Sequence, residues 1–525
     1  MLDIKQLSDY DRIVVPKEED LMKKIKKNSM TLNVTCSLLQ QIVIMISGFA
    51  LPRIILKTFD SDVNGLVASL NQFLSYVSLI EGGLTGVVSA NLYKPLVDGN
   101  TLLLNKVLKT ASQFYKRIAL IFSLYAMGIA IIYPIVVKTK FSYSYIFALA
   151  FILSINLFVQ YFFSIAWKTL LIADKKGYVV YLTYSLVAIV NLLITIVIVH
   201  FFPNIHLIKL GASVIYLVQP LIYQIYIKKN YKIEFDNMDI DNSLLEQRWN
   251  GFAINIAAFI HNNTDVVILS LFGTLQDVSV YSVYFLVVTG LKNIIIAISQ
   301  AISPIVGRAY ASGDQRKLND IFEIYEMMIL FVSFLFFTVG GVSITPFVSL
   351  YTSGVQDANY NQPVFGWTII VAELIYCIRE PYVTLAYSAN RFKDFRKIAY
   401  IEAIINVVVS IMLVQKYGIT GVAIGTLVSM FIRTIYQIYY LKNHILYRKN
   451  LELFKLVIIY LMGIIISLYI SRKFIPYRVS TILTWTIYTA QNLIVAFLIL
   501  ISITLFFCKN KIKVWKKNGY IDRKP

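Results

Sequence analysis

Long apolar runs constrain the fold of this 525-residue chain more than any other feature of its sequence. Between residues 31 and 507 we count fourteen runs, each about 20 residues long, which is the length of a helix that crosses a bilayer. A membrane strand is shorter, about 10 residues, and alternates apolar with polar side chains. The sequence therefore predicts an all-α membrane protein with about 14 transmembrane helices, at 31–56, 65–90, 112–137, 144–166, 178–202, 210–227, 251–272, 279–303, 321–351, 366–386, 398–414, 419–441, 456–471 and 483–507.

The composition excludes a soluble enzyme. Hydrophobic residues make up 58% of the chain and charged residues 15%, and no polar segment is long enough to fold as a separate domain. We find none of the GxSxG, HExxH, CxxC or P-loop motifs of catalytic and nucleotide-binding sites. Cys36, Cys377 and Cys508 lack the spacing of disulfide or metal sites. The sequence thus predicts a secondary transporter rather than an enzyme, with no catalytic residue and no cofactor other than a coupling ion.

The positive charges are distributed unevenly along the chain. Of the 49 Lys and Arg residues, 35 lie in the two termini and the even-numbered junctions between runs, 8 lie in the odd-numbered junctions, and 6 lie inside the runs. Lys and Arg accumulate in cytoplasmic loops. Both terminal tails, 1–30 and 508–525, are therefore predicted to be cytoplasmic, and we call the opposite side the predicted external side. The net charge of +20 reflects this topology and does not indicate a nucleic-acid partner.

An internal repeat relates the first six runs to the next six. The sequence IYQIY closes both halves, at Ile222–Tyr226 and Ile435–Tyr439, and Thr-Leu followed 22 residues later by Asn occurs at Thr169 and again at Thr384. Six runs per half give both halves the same orientation, with a cavity between them. We therefore expect two pseudo-symmetric six-helix lobes, 31–230 and 251–443, joined by a cytoplasmic linker, 231–250, and followed by two further helices in 456–507.

The segment from Gly48 to Pro95 carries a set of short motifs. They are Gly48 with Pro52-Arg53, Phe59 with Val63-Asn64-Gly65, Glu81-Gly82-Gly83, and Leu92-Tyr93-Lys94-Pro95. In these motifs, and in its span count and repeat, the chain resembles the Wzx-type polysaccharide flippases of the multidrug/oligosaccharidyl-lipid/polysaccharide (MOP) exporter superfamily, which also contains the MATE drug exporters and the lipid II flippase. The resemblance implies MATE-like lobes and a first helix broken near Pro52.

The resemblance also implies a function. It is the alternating-access transfer of undecaprenyl-diphosphate-linked oligosaccharide from the inner to the outer leaflet of the bacterial cytoplasmic membrane, for surface polysaccharide or capsule synthesis. The implied partners are this lipid-linked substrate, membrane lipid, a polysaccharide polymerase and glycosyltransferases. Two alternatives are a MATE-like exporter of organic cations, which predicts an acidic cavity, and a membrane-embedded polymerase, which the short loops disfavour.

Cations within the runs are the candidate contacts for a diphosphate. Lys292 lies mid-run, where its side chain reaches neither interface, so it either faces the cavity or pairs with an acid such as Asp265. Arg379 either contacts substrate or pairs with Glu373 or Glu402. Arg53 suits bidentate phosphate contact or anchors the helix at the interface. The further candidates are polar residues on the same helices, namely Asn71 and Glu81 in run 65–90 and Asn293 beside Lys292. Such residues are equally common as packing contacts between membrane helices.

Asp265, Glu402 and Asn406 are the candidate ligands of a coupling ion. Both acids are missing from the matching positions of the first half, and a cation site in the second lobe is implied by the likeness to the lipid II flippase. We expect a monovalent cation, Na⁺ or H⁺, at these oxygens; the alternative is that the acids pair with Arg379 and Lys292. His261, four residues before Asp265, is interpreted as a hydrogen-bonded packing residue.

Overall fold

A computed structural model describes residues 18–81, 83–235, 239–245, 259, 263–448 and 451–507. This part of the chain consists of helices and short loops and contains no strand. In chain order, the α-helices are α1 (Glu18–Thr58), α2 (Ser61–Ser75), α3 (Val77–Glu81), α4 (Leu84–Asp98), α5 (Thr101–Val136), α6 (Tyr143–Val159), α7 (Ile165–Ala173), α8 (Gly177–Phe201), α9 (Ile205–Tyr216), α10 (Val218–Asn230), α11 (Asn263–Phe272), α12 (Leu275–Ala311), α13 (Gln315–Tyr351), α14 (Pro363–Ser388), α15 (Phe392–Leu441), α16 (Leu451–Phe474) and α17 (Ile482–Phe507). Two π-helical segments, Gln160–Ser164 and Lys442–Leu446, and a 3₁₀ turn, Asn242–Leu245, complete the set.

Ten helical segments of the described chain are long and apolar enough to cross a membrane, and α2 to α4 make an eleventh if their 49° bend lies within one span. Two more helices coincide with predicted runs: α14, which contains three charged residues, and α11, of which ten residues are described. α15 holds two predicted runs. Every predicted run thus falls on helix where it is described. The prediction of an all-α, multi-pass membrane protein is confirmed, with fourteen as an approximate count of spans.

Helix breaks differ from the expectation at two places, in the run 65–90 and at Pro52. The run 65–90 is divided into α2, α3 and α4, and Gly83 adopts a left-handed conformation (φ 85°) just before α4. The predicted junction between runs 398–414 and 419–441 is present, because Gly418 (φ 53°, ψ −133°) turns the chain within α15. Glycine lacks a Cβ atom and tolerates both conformations. The break expected near Pro52 is wrong, because α1 continues through this residue; neighbouring helices can compensate for the one hydrogen bond that a proline removes.

Buried apolar side chains divide the helices into two lobes. In the first, α4, α5 and α7 enclose a core around the fully buried Phe122. In the second, α12 to α15 enclose a larger core around Phe334 and Phe365, to which α17 adds Leu500. We call α1–α10 the N-lobe and α11–α15 the C-lobe; α16 and α17 pack beside the C-lobe along α13. The predicted arrangement of two lobes with two additional C-terminal helices is confirmed.

The lobes meet along a seam where α2 packs against α11 and α12. A Cβ atom built on Gly65 would lie 1.8 Å from the carbonyl oxygen of Leu275, so only glycine fits at this approach. Hydrogen bonds that cross the seam join Asn64 to Ser279 (2.8 Å), Ser69 to Ser270 (2.6 Å) and Gln72 to Asn263. The seam therefore holds the lobes together in the half of the protein nearer the predicted external side.

Candidate functional site

Four side chains of the C-lobe form a buried polar cluster around Asp265 on α11. Asp265 Oδ2 accepts hydrogen bonds from the hydroxyls of Tyr281 on α12 and Thr426 on α15, each over 2.8 Å. Asn406, on the first half of α15, donates to Thr426 Oγ1 over 2.9 Å. Asn406 and Thr426 meet because the turn at Gly418 brings the two halves of α15 side by side. We call these four residues the Asp265 cluster.

The Asp265 cluster has the chemistry of a site for a monovalent cation. Asp265 Oδ1 and Asn406 Oδ1 are buried and have no hydrogen-bond partner among the described residues. Carboxylate, amide and hydroxyl oxygens are the ligands that hard cations prefer, and a single carboxylate matches a single positive charge. In the described chain, no three His, Cys, Asp or Glu side chains lie close enough together to hold a metal ion. These residues fit the predicted Na⁺ or proton site better than a multivalent metal site.

Glu402, the third predicted ligand of that ion, contacts two arginines instead. Glu402 Oε1 lies 3.3 Å from Arg379 Nη1, and Glu402 Oε2 accepts a hydrogen bond from Arg433 Nη1. Glu402 is fully buried. Of the pairings foreseen for Arg379, the one with Glu402 is therefore present. The contact between Glu402 and Arg433, which the sequence did not indicate, joins the two halves of α15.

Lys292 pairs with Glu373 rather than with Asp265. Lys292 Nζ lies 3.1 Å from Glu373 Oε2, and both side chains are buried. The ring of Tyr376, one turn after Glu373 on α14, lies 5.0 Å from Lys292 Nζ and 5.0 Å from the guanidinium carbon of Arg379. An aromatic face attracts both cations. Asn293, the neighbour of Lys292, is exposed at the helix surface.

A smaller polar group surrounds Glu81 in the N-lobe, where the helix breaks after α3. Glu81 accepts hydrogen bonds from the hydroxyls of Thr85 (2.5 Å) and Tyr161 (2.8 Å), and Thr85 in turn contacts Tyr115 (3.0 Å). Tyr161 lies in the π-helical segment Gln160–Ser164, a local distortion that is frequent at functional sites. Asn71, one of the other predicted cavity residues, is exposed.

Arg53 caps a helix of the opposite lobe. Its guanidinium donates to the carbonyl oxygens of Leu350 (3.2 Å) and Tyr351, the last two residues of α13. In return, the loop that follows α13 caps α2, because Asp357 accepts from the backbone N–H of Ser61 (2.7 Å) and from its hydroxyl (2.9 Å). Cations are favourable at helix C-termini and carboxylates at N-termini. We call this pair of contacts the reciprocal caps.

The sequence interpretation missed three participants in these clusters. Tyr281, Thr426 and Tyr161 carry hydroxyls, which are common in membrane helices and give no signal alone. The sequence does contain one signal for Thr426, because this residue lies seven positions before Arg433 and shares a face of α15 with it. His261, interpreted from the sequence as a packing residue, lies outside the described residues.

Comparisons with known proteins establish the fold. No family model matches the sequence, and no curated protein matches it. Among solved structures, the lipid II flippase MurJ in an inward closed conformation aligns with a TM-score of 0.71 and 14% identity over 91% of this chain and 100% of that chain. An inward-facing multidrug resistance MATE family transporter of the MOP superfamily aligns with a TM-score of 0.61 and 12% identity over 78% of this chain and 96% of that one.

A variant of the Vibrio cholerae MATE transporter VcmN aligns with a TM-score of 0.54 and 14% identity, covering 80% of this chain and 99% of that chain. At such identities the likeness is one of fold. The chain therefore has the two-lobed fold found in transporters of the MOP superfamily, and the prediction of MATE-like lobes is confirmed.

Proposed function

We propose that this protein is a flippase that moves undecaprenyl-diphosphate-linked oligosaccharide from the inner to the outer leaflet of a bacterial cytoplasmic membrane. The observation that carries the proposal is the extent of the likeness to a lipid II flippase, which reaches 91% of the chain against 78% for the MATE transporter described above. With the cell interior negative, outward movement of each negative charge gains about 2.3 kcal/mol per 100 mV. The proposed direction is thus downhill for a diphosphate.

The proposed mechanism is alternating access between the two lobes. The seam and the reciprocal caps close the predicted external side, so a substrate would enter from the inner side. The lobes then rock about the cavity, while the prenyl tail stays in lipid. Lys292, Arg379 and Arg53 would neutralise the diphosphate during this passage. Each of them already has a protein partner, so the substrate exchanges with an existing contact.

A monovalent cation, most simply Na⁺, is proposed to couple to this cycle at the Asp265 cluster. Asp265 and Asn406 would each supply an oxygen that has no described hydrogen-bond partner, and Thr426 would supply its hydroxyl. Glu402 lies one helical turn from Asn406, and its direct ligation would require its release from Arg379 and Arg433. Coupling then needs the ion to bind one access state more tightly than the other, because equal affinity shifts nothing.

Deletion of the gene tests the proposal. We expect lipid-linked repeat units to accumulate in the inner leaflet while their synthesis continues, and surface polymer to disappear. Continued export of polymer by the deletion strain, with no accumulation of lipid-linked intermediates, would refute the function.

A second candidate function is export of organic cations, and one observation favours it. Asp265, Glu380 and Glu81 lie within membrane helices, and none of them forms an ion pair with a residue in the described part of the chain. Acids without counter-charges are suited to a cationic substrate. Expression in a bacterial strain that lacks its own drug exporters distinguishes the candidates: efflux of a fluorescent organic cation would support the exporter, and absence of efflux is expected for the flippase.

A further inference from the structure

Two arginines of the C-lobe share one buried carboxylate. Arg379 on α14 and Arg433 on the second half of α15 both contact Glu402, which no solvent reaches. The Arg379 side chain is 3% exposed, whereas the Arg433 side chain keeps 17% of its surface exposed. Guanidinium groups remain protonated in proteins. With Glu402 ionised, the three side chains therefore carry one net positive charge within the membrane.

Glu402 leaves donors of both arginines unused. A guanidinium has five N–H groups in a fixed planar fork. The Nε atoms of Arg379 and Arg433 are both buried, and neither has a hydrogen-bond partner among the described residues. A buried charged donor without a partner is unfavourable, because it has lost its hydrogen bonds to water. The pair of guanidiniums is thus built to hold more acceptor oxygens than one carboxylate provides.

The other C-lobe acids do not supply the missing acceptors. Glu373 pairs with Lys292, and Asp265 accepts from Tyr281 and Thr426. Glu380 follows Arg379 directly on α14, about 100° around the helix, and forms no ion pair with a cation of the described chain. An anion that comes from outside the protein would complete the coordination of both arginines.

We propose that Arg379 and Arg433 form a binding site for a diphosphate group, and that Glu402 occupies the place of this ligand until it binds. Two guanidiniums from separate helical segments match the two phosphoryl groups, each of which accepts a bidentate contact. The ligand displaces Glu402 first from Arg433, which is the more exposed of the two arginines. The identity of the ligand as a polyprenyl diphosphate rests on the proposed function, whereas the anion site does not.

The position of Glu402 gives this displacement a consequence. Each half of α15 carries one residue of the Glu402–Arg433 ion pair and one residue of the Asp265 cluster. In the first half, Glu402 precedes Asn406 by one turn, and in the second half, Arg433 follows Thr426 by two turns. Movement of Glu402 away from Arg433 separates the two halves of α15 at this level.

Glu402 also competes with the ligand for the two arginines. Replacement of Glu402 by a neutral residue should therefore tighten ligand binding.

The test measures binding of inorganic pyrophosphate to the full-length protein in phosphatidylcholine nanodiscs by calorimetry. We expect Arg433→Gln to weaken binding, and Glu402→Gln to tighten it, each by about 10-fold or more, the size of one or two charged hydrogen bonds. Arg308→Gln, at an exposed arginine of the same lobe, should bind as the wild type does. Equal affinity in all four proteins would overturn the site.

A second measurement covers variants that fold poorly. Glu402→Gln leaves two buried guanidiniums without an anion, so pyrophosphate should raise its melting temperature more than that of the wild type. An equal shift in both proteins would overturn the proposal. If phosphatidylglycerol nanodiscs abolish pyrophosphate binding, the site takes a phospholipid headgroup and the diphosphate assignment is wrong. If pyrophosphate binds as expected but the deletion strain exports polymer normally, the anion site stands and the proposed function fails.

Discussion

Thr426 donates its hydroxyl hydrogen to Asp265 Oδ2 over 2.8 Å, although the two residues are 161 positions apart in the chain. The same hydroxyl oxygen accepts from Asn406 Nδ2, so one side chain joins α11 to both halves of α15. The two remaining side-chain oxygens, Asp265 Oδ1 and Asn406 Oδ1, keep their capacity to bind an ion, because this bridge uses neither of them.

The first prediction concerns the coupling ion. Transport in proteoliposomes should respond to a Na⁺ gradient imposed at constant pH and membrane potential. Asp265→Asn and Thr426→Val should weaken the apparent affinity for Na⁺ by about 10- to 100-fold, because each removes a charge or an oxygen from the site. Thr486→Val, at an exposed threonine of α17, is the matched control. Indifference of wild-type transport to Na⁺, with Asp265→Asn and Glu402→Gln fully active, would leave these acids as structural residues.

The second prediction separates the structural from the transport role of Lys292. Lys292→Ala leaves Glu373 buried without its cation, which costs about 3–5 kcal/mol of stability. The double variant Lys292→Met with Glu373→Gln removes both charges and should restore the amount of protein in the membrane. If Lys292 also neutralises the substrate, the double variant should still fail to export surface polymer, and Lys292→Arg should retain part of the activity.

Recovery of full export by the double variant would show that the Lys292–Glu373 pair is structural only. The measurements are the amount of surface polymer and the amount of the protein in isolated membranes, determined on the same cultures.

The sequence predicted the helices and lobes well for two reasons. The length of an apolar run is a local property, and the bias of Lys and Arg toward one side can be counted over the whole chain. It did not predict which charges meet. From the sequence, Glu402 could bind a coupling ion or pair with Arg379 or Lys292, and only the turn at Gly418, which folds α15 onto itself, makes Arg433 a neighbour as well. Likewise, the proline at position 52 suggested a break, but α1 remains continuous. Polar residues that are distant in the sequence are brought together by the packing of whole helices, and no local sequence pattern reports that packing.

The third prediction concerns the seam. Gly65→Ala would place a methyl group 1.8 Å from the Leu275 carbonyl oxygen, so α2 and α12 must move apart. We expect export to fall by about 10-fold or more, because overpacking at a close contact costs about 1–3 kcal/mol and about 1.4 kcal/mol corresponds to a factor of ten. A cysteine at Ser353, on the predicted external side, should become more reactive toward a membrane-impermeant thiol reagent. Gly86→Ala, where a Cβ atom would meet nothing within 4 Å, is the control. If Gly65→Ala exports polymer at the wild-type rate, transport does not depend on the close approach of α2 and α12 at the seam.

The fourth prediction concerns topology. In a background without Cys36, Cys377 and Cys508, a cysteine at Thr274 or Ser353 should react with the impermeant reagent in intact cells, and one at Ser312 should react only after lysis. Ser353 is preferable to its neighbour Gly354, whose φ of +92° disfavours a side chain. The reverse labelling pattern would overturn the orientation deduced from the charges, and with it the direction of transport.

The reciprocal caps have a consequence for a protein that carries no substrate. Opening the predicted external side separates Arg53 from the end of α13 and Asp357 from the start of α2 in one movement. The loss of a helix cap costs about 0.5–2 kcal/mol, so the two together lower the population of the opened empty protein roughly 5-fold to several-hundred-fold. An idle transporter would then seldom expose its interior to the outside. Leakage of ions and foreign solutes between cycles is thereby limited by contacts at two helix ends, of which the Arg53 contact is also one that the diphosphate would replace during its passage.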